Sequence, residues 1–91
     1  MKYEELLKSK TLKEELLSNI DLIHTTELGK DRIKKNIELN NNDIIDYLIK
    51  LILSDESIVY KKGKNYYCEI YDIIITINSY NYCIITAHKK R

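Results

Sequence analysis

The sequence predicts an α+β domain in which about three helices precede a three- to four-stranded antiparallel β-meander. Apolar residues recur at helical spacing as far as Leu53, and beyond Ile58 the period changes to two. The 91 residues are 44% hydrophobic and include sixteen Ile, which is enough to fill one small core. We therefore expect residues 1–91 to form a single domain.

The first helices are predicted from short apolar stripes and capping residues. A segment at 3–8 is interrupted by Ser9-Lys10-Thr11, and Thr11 with Glu14 forms a capping box that predicts the start of a new helix. The apolar stripe of this helix continues to Ile23. A junction follows at His24-Thr25-Thr26, where either threonine can cap the next helix.

The next helix is expected to turn Leu28, Ile33 and Ile37 inward, and the three asparagines within 39–42 predict a loop. The clearest helix is predicted over 43–53, because six apolar residues form a wide stripe there. A polar stop at 54–57 ends it.

Strands are predicted from alternating side chains between turn residues. The turns are Lys61-Lys62-Gly63-Lys64, Asp72 and Ser79-Tyr80-Asn81. The face that carries Ile73, Ile75 and Ile77 is expected to pack on the helices, and the other face should be partly open. Strict alternation along the last strand would place Tyr82, Ile84, Thr86 and His88 on one face, and Cys83, Ile85 and Ala87 on the other. Cys68 and Cys83 are both predicted to face the core.

Charge and composition exclude some functions. The net charge of +1 excludes strong global attraction to nucleic acid, although residues 1–57 carry −3 and residues 58–91 carry +4. The basic segment would suit a phosphate-bearing partner, or would simply keep strand ends hydrated. Residues 1–5 do not lead into the apolar segment of a signal peptide, and no long apolar run follows. We therefore expect a cytoplasmic protein that does not associate with a membrane. The two cysteines lack metal-binding spacing, so we expect no metal and no cofactor.

Polar side chains of neighbouring strands are predicted to share one sheet face. Thr76 and Asn78 lie two residues apart, as do Thr86 and His88, and Tyr67 can join them. One interpretation is a binding or catalytic surface, and the other is an ordinary solvated face.

Two histidines and a cation are the minimum set for metal-independent RNA cleavage. One imidazole removes the 2′-hydroxyl proton and the other protonates the leaving oxygen, while a cation stabilises the phosphorane. His24 and His88 are the candidates, with Thr86 beside His88 and with Lys64 or Arg32 as the cation. The alternative is that His24 is a structural hydrogen-bonding residue at its helix junction.

Tyrosines beside lysines in the second half are typical of surfaces on which bases stack. The alternative is that tyrosine fills the core of a chain that has neither Phe nor Trp. Both interpretations apply to Tyr66, Tyr67, Tyr71, Tyr80 and Tyr82.

The segments IHTTELG (23–29), RIKKN (32–36), GKNYY (63–67) and IITAHK (84–89) resemble, over about 13–89, a family of small bacterial proteins known as domain of unknown function 3781. The resemblance implies an α+β domain and no established activity. The sequence departs from the family pattern at Tyr66, where Trp is usual, and at Cys83, where Thr is usual. The catalytic candidates His24, Thr86 and His88 and the binding candidates Arg32, Lys64, Asn65, Tyr67, Thr76 and Asn78 all match the family pattern.

The last hairpin is also similar to the final strands of barnase-like and colicin-like toxin ribonucleases, which is an analogy of fold. Two functions follow as hypotheses. One is an RNA-binding or toxin-type, metal-independent ribonuclease domain that uses the C-terminal sheet. The alternative is a protein-interaction module, such as a phage-type inhibitor or a homodimer, that uses the same Tyr-rich face.

Overall fold

The computed structural model describes residues 3–38 and 43–90, with side chains from Thr11 onward, and it confirms the α+β class. Three helices precede a four-stranded antiparallel sheet whose strands follow chain order. The helices are α1 (Tyr3–Ser18), α2 (Glu27–Asn36) and α3 (Ile44–Leu53), with a 3₁₀ turn at Ile20–Leu22. The strands are β1 (Ile58–Lys62), β2 (Asn65–Ile70), β3 (Ile73–Asn78) and β4 (Ile84–Lys89).

Helix α1 is continuous, so the predicted interruption at Ser9-Lys10-Thr11 is wrong. Such polar residues cost less than about 0.7 kcal/mol each inside a helix, which tertiary contacts easily outweigh. One such contact is made by Lys13, whose Nζ donates hydrogen bonds to the carbonyls of Ser54 (2.6 Å) and Ser57 (3.2 Å). The helix ends at Ser18 and a 3₁₀ turn follows, where the apolar stripe predicted one helix to Ile23.

Helix α2 begins as predicted, because the Thr26 hydroxyl accepts a hydrogen bond from the Gly29 amide at 3.0 Å. The neighbouring Thr25 hydroxyl donates to the Ile84 carbonyl of β4 at 2.9 Å. A Cβ on residue 29 would clash with Thr25 Oγ1, so this close approach requires glycine. Ile33 is buried as predicted, but Leu28 is 77% exposed because it lies on the side of α2 that faces solvent.

Helix α3 fills the centre of the core. Ile44, Leu48 and Ile52 are fully buried, which confirms the stripe predicted over 43–53. The buried Ser57 hydroxyl donates to the Ile52 carbonyl at 2.8 Å and so satisfies a group at the helix end. The loop predicted over 39–42 lies outside the described residues.

Short turns fix the sheet register. Gly63 has φ +62° in the two-residue β1–β2 turn, and β1 therefore extends to Lys62 rather than ending at residue 60. The β2–β3 turn is Tyr71-Asp72, and Asn78 Oδ1 accepts from the amides of Tyr80 and Asn81 in the β3–β4 turn.

The inner face of the sheet, which the helices cover, carries one fully buried residue from each strand in a row across the sheet. These residues are Val59, Cys68, Ile75 and Ala87. The predicted packing of Ile73, Ile75 and Ile77 on the helices is confirmed. Tyr66 is also fully buried on this face, and its hydroxyl donates to a Glu15 carboxylate oxygen of α1.

A β-bulge in β4 corrects the predicted alternation. Thr86 pairs with Thr76 and Ile84 pairs with Ile77, so Ile85 is an extra residue between them. Ile84 is consequently buried on the inner face, whereas Thr86 belongs to the opposite face. Cys83, next to Ile84, is half-buried, and the prediction that it faces the core is wrong.

Candidate functional site

The outer face of the sheet, on the side away from the helices, gathers most of the predicted site residues. Its central row pairs one residue from each strand, in the order Tyr60, Tyr67, Thr76, Thr86. The adjacent row contains Ile58, Glu69, Ile74 and His88. The predicted sharing of one face by Tyr67, Thr76 and Thr86 thus follows directly from the register.

Tyr60 and Tyr67 form a stacked pair on this face. Their ring centroids lie 5.3 Å apart and the ring planes meet at 14°. Burial, together with a hydrogen bond to Glu69, raises the pKa of Tyr60 to about 12, so its hydroxyl remains a donor at neutral pH. Sequence reasoning missed Tyr60, and the signal that could have found it is the alternation of residues 58–62.

Two threonines form the polar part of the central row. Thr76 is only 6% exposed although it lies on the outer face, because its cross-strand neighbours crowd it. The Thr86 hydroxyl accepts a hydrogen bond from Asn36 Nδ2 at 3.2 Å. Asn36 ends α2, so this bond connects the helix to the outer face. The Thr86 hydroxyl therefore already has a hydrogen-bond partner within the protein.

Charged groups lie at the β4 edge of the sheet. Lys90 Nζ lies 2.7 Å from a Glu69 carboxylate oxygen, and Lys89 Nζ lies 3.4 Å from Glu38. Lys90 and the Tyr60 hydroxyl, in that order, hold the pKa of Glu69 below its usual value. A surface depression here is lined by Asn36, Glu38, His88, Lys89 and Lys90.

Another group of predicted residues meets at the turn end of the sheet. Asn65 pairs with Asn78, and the Ser79 amide donates to the Lys64 carbonyl at 2.9 Å. The Asn78 side chain is engaged in its own turn, while the Lys64 side chain is exposed. Of Lys64, Asn65 and Asn78, Lys64 is the residue that carries a charge, and its exposed ammonium group can contact a ligand at this end of the sheet.

His24 lies at the edge of β4 instead of on the outer face. It forms a parallel bridge with Cys83, and its Nδ1 lies 2.8 Å from the Leu22 carbonyl oxygen. Cys83 lies opposite Asn78 of β3 and His88 lies opposite Ile74, four residues away, which corresponds to about 13 Å of extended strand. This spacing places His24 and His88 at opposite ends of β4, and Arg32 is exposed on α2.

The described side chains form no metal cluster. Within 11–38 and 43–90, no group of three or more His, Cys, Asp or Glu side chains is arranged to hold a metal ion. Over that part of the chain no helix combines the length and apolar character of a membrane span.

Comparison with known proteins adds a family. The model of the family described as "Protein of unknown function (DUF3781)" matches residues 17–88, which is most of the chain. No curated protein and no solved structure matches this chain. The match includes all nine candidate residues, His24, Arg32, Lys64, Asn65, Tyr67, Thr76, Asn78, Thr86 and His88, but assigns no role to them.

Proposed function

The chain belongs to the DUF3781 family, whose function is unknown, and we propose that it binds single-stranded RNA on the outer face of the sheet. The observation that carries the proposal is the stacked Tyr60–Tyr67 pair, which lies on the sheet face opposite the buried row that packs against the described helices. Base–aromatic stacking contributes about 1–3 kcal/mol per base and tolerates any sequence.

The surroundings of the tyrosine pair suit a ribose-phosphate chain. Lys62 and Lys64 lie at the turn between β1 and β2, and His88 lies at the opposite side of the face. These side chains can contact phosphates while bases stack on the tyrosines. The net charge of +4 over 58–91 is consistent with weak, salt-sensitive binding.

The proposal is binding without cleavage. Two imidazoles that act on one phosphate must each lie within about 2.6–3.2 Å of the oxygen that exchanges its proton. The separation of about 13 Å along the sheet between Cys83, the partner of His24, and His88 argues against that arrangement. We therefore expect the RNA to remain intact.

Fluorescence anisotropy with a labelled ten-nucleotide RNA tests the proposal. We expect Tyr67→Ala to weaken binding by about 5- to 100-fold, the equivalent of one lost stacking contact. Tyr80→Ala is the matched control, because Tyr80 is exposed in the β3–β4 turn away from the pair. Equal losses in both variants, or no binding by the wild type at 50 mM salt, would overturn the proposal.

A salt titration tests the phosphate contacts separately. We expect Lys64→Ala to reduce the slope of log K against log salt by about 0.7, the value for one phosphate contact to a single strand. Lys50→Ala, which removes an exposed lysine of α3, should leave the slope unchanged. Identical slopes in the wild type and Lys64→Ala would remove Lys64 from the site.

A second candidate is a homodimer through the same face. The observation that favours it is the exposure of Ile58 (38%) and of the bulge residue Ile85 (42%) near the tyrosine pair. Aromatic residues are enriched in protein interfaces, so the tyrosines fit either function. Light scattering across salt concentrations distinguishes the two, since a tyrosine- and isoleucine-mediated dimer should persist at high salt, where RNA binding is lost.

A further inference from the structure

The two cysteines occupy contrasting environments. Cys68 is fully buried on the inner face between its cross-strand neighbours Val59 and Ile75. Burial raises the pKa of its thiol to about 11, so it carries almost no thiolate at neutral pH. Cys83 lies just before β4 and is half-buried. Because Ile84 points into the core, the side chain of Cys83 points away from it.

Cys83 has a histidine as its direct backbone partner. The His24 amide donates to the Tyr82 carbonyl at 3.3 Å, and the Ile84 amide donates to the His24 carbonyl at 2.7 Å. These two bonds define a parallel bridge in which His24 and Cys83 are opposite each other. Side chains of such partners project to the same side of two strands that lie about 4.8 Å apart.

The orientation of the His24 ring suits a proton acceptor. A carbonyl oxygen can only accept, so the 2.8 Å contact with the Leu22 carbonyl requires that His24 Nδ1 donate. In the neutral ring the remaining nitrogen, Nε2, then carries a lone pair. His24 as a whole is exposed.

We propose that Cys83 and His24 form a thiol–imidazole pair that exchanges with small-molecule disulfides of the glutathione type. The imidazole Nε2 takes the thiol proton, and the thiolate attacks one sulfur of the disulfide. A Cys83–S–S bond forms as the original S–S bond breaks, and the departing thiolate receives the proton from the imidazolium. Oxidation of Cys83 is balanced by reduction of the released thiol, with no other reactant.

The Cys83 thiol donates a weak hydrogen bond in the resting protein. The contact from Cys83 Sγ to the Ile84 carbonyl is 3.7 Å long, as is ordinary for a weak sulfur donor. The Ile84 carbonyl also accepts from the Thr25 hydroxyl, so an alternative donor already satisfies it. Transfer of the proton to His24 therefore leaves no buried acceptor unpaired.

This modification site is separate from the outer-face tyrosines, so it does not depend on RNA binding. An adduct would lie where residues 23–25 are attached to β4, next to the start of α2. We expect the adduct to lower the melting temperature of the protein, since it would crowd the bridge between His24 and Cys83.

The experiment treats the folded protein with oxidised glutathione and measures adducts by intact mass and peptide mapping. We expect one adduct, on Cys83, with Cys68 unmodified until denaturant is added. Cys83→Ser should abolish the adduct. Modification of Cys68 at a comparable rate in the folded protein would contradict the proposed selectivity.

The role of the imidazole is tested by comparing two histidine variants. We expect His24→Gln to slow the reaction about tenfold or more, as for loss of a general base, and His88→Gln to have no effect. His24→Asn provides a second variant, and circular dichroism checks folding of each. Wild-type rates in both His24 variants would mean that Cys83 reacts through exposure alone and would overturn the pair.

A neutral disulfide separates proton transfer from charge attraction. Glutathione disulfide is anionic, and a positive imidazolium could merely attract it. With 2-hydroxyethyl disulfide, which carries no charge, we expect the same dependence on His24. If the dependence disappears with the neutral reagent, His24 is an electrostatic attractor and the proton-transfer step is wrong.

Discussion

The two faces of the sheet share one set of backbone hydrogen bonds but differ completely in what surrounds them. On the inner face Cys68 and Ile75 form part of a fully buried row, whereas one residue along the same strands Tyr67 and Thr76 belong to the outer face. A shift of one residue exchanges the two faces of a strand. The difference teaches that burial by helices fixes the fold, while the residues available for a partner lie on the uncovered side.

The strongest test of this comparison is truncation of one isoleucine on each side. We expect Ile75→Ala to lower the free energy of unfolding by about 2–5 kcal/mol, because it leaves a cavity in a packed core. Ile85→Ala, at the exposed bulge position, should change it by less than about 0.5 kcal/mol. Urea unfolding followed by circular dichroism measures both, and similar losses would mean that the outer face is covered in solution.

The edge of β4 is where the start of α2 is attached to the sheet. The close contact between Thr25 and Gly29 allows this attachment to be tested by substitution. Gly29→Ala should displace the Thr25 hydroxyl and break its hydrogen bond to Ile84, which costs about 1 kcal/mol or more. In a Thr25→Ala background the same change should be neutral or stabilising, since alanine is the better helix former.

A double-mutant cycle measured by urea unfolding gives this coupling. We expect about 1–2 kcal/mol between residues 25 and 29, within the range for residues in contact. Additive effects would show that Thr25 can move away from a Cβ without loss, and that glycine is present at position 29 for another reason.

Those parts of the fold that depend on periodicity were predictable from the sequence. The stripe of α3 and the isoleucines of β3 have one side that can be buried, and both are buried as predicted. The continuity of α1 was not predictable, because it depends on contacts such as that of Lys13 with Ser54, 41 residues away in sequence. The bulge at Ile85 cannot be recognised in a sequence of alternating residues. Because of it, Ile84 lies on the inner face instead of sharing the face of Thr86 as predicted.

The candidate site shows the same limit. The sequence predicted that Thr76 and Thr86 would share a face, but their direct pairing depends on the bulge at Ile85, which it did not predict. The position of His24 depends on a bridge to Cys83, 59 residues later, that no local pattern specifies. Asn36 was likewise missed as a partner of Thr86, because the packing of α2 on β4 is a tertiary contact.

The smallest effect we predict concerns the one acidic residue in the two outer-face rows. Lys90, followed by the Tyr60 hydroxyl, lowers the folded-state pKa of Glu69 from its ordinary value of 4.5. A depressed carboxyl pKa contributes stability above the unfolded-state value, and this stability is lost as pH falls through the lower folded-state pKa. Because the pair is partly exposed, its contribution should be below about 1 kcal/mol.

Urea unfolding at pH 7, 5, 4 and 3 detects this contribution as a difference between variants. We expect the wild type to lose slightly more stability than Glu69→Gln between pH 5 and 3, and high salt to reduce the difference. Glu38→Gln is the control, because its ion pair with Lys89 is longer and more exposed. If Glu69→Gln instead follows the wild-type pH profile, then the Glu69–Lys90 pair contributes no stability in solution. The ion pair on the outer face would then add nothing to the stability that the inner face provides. In that case the Glu69 carboxylate and the Lys90 ammonium group would be available to a partner.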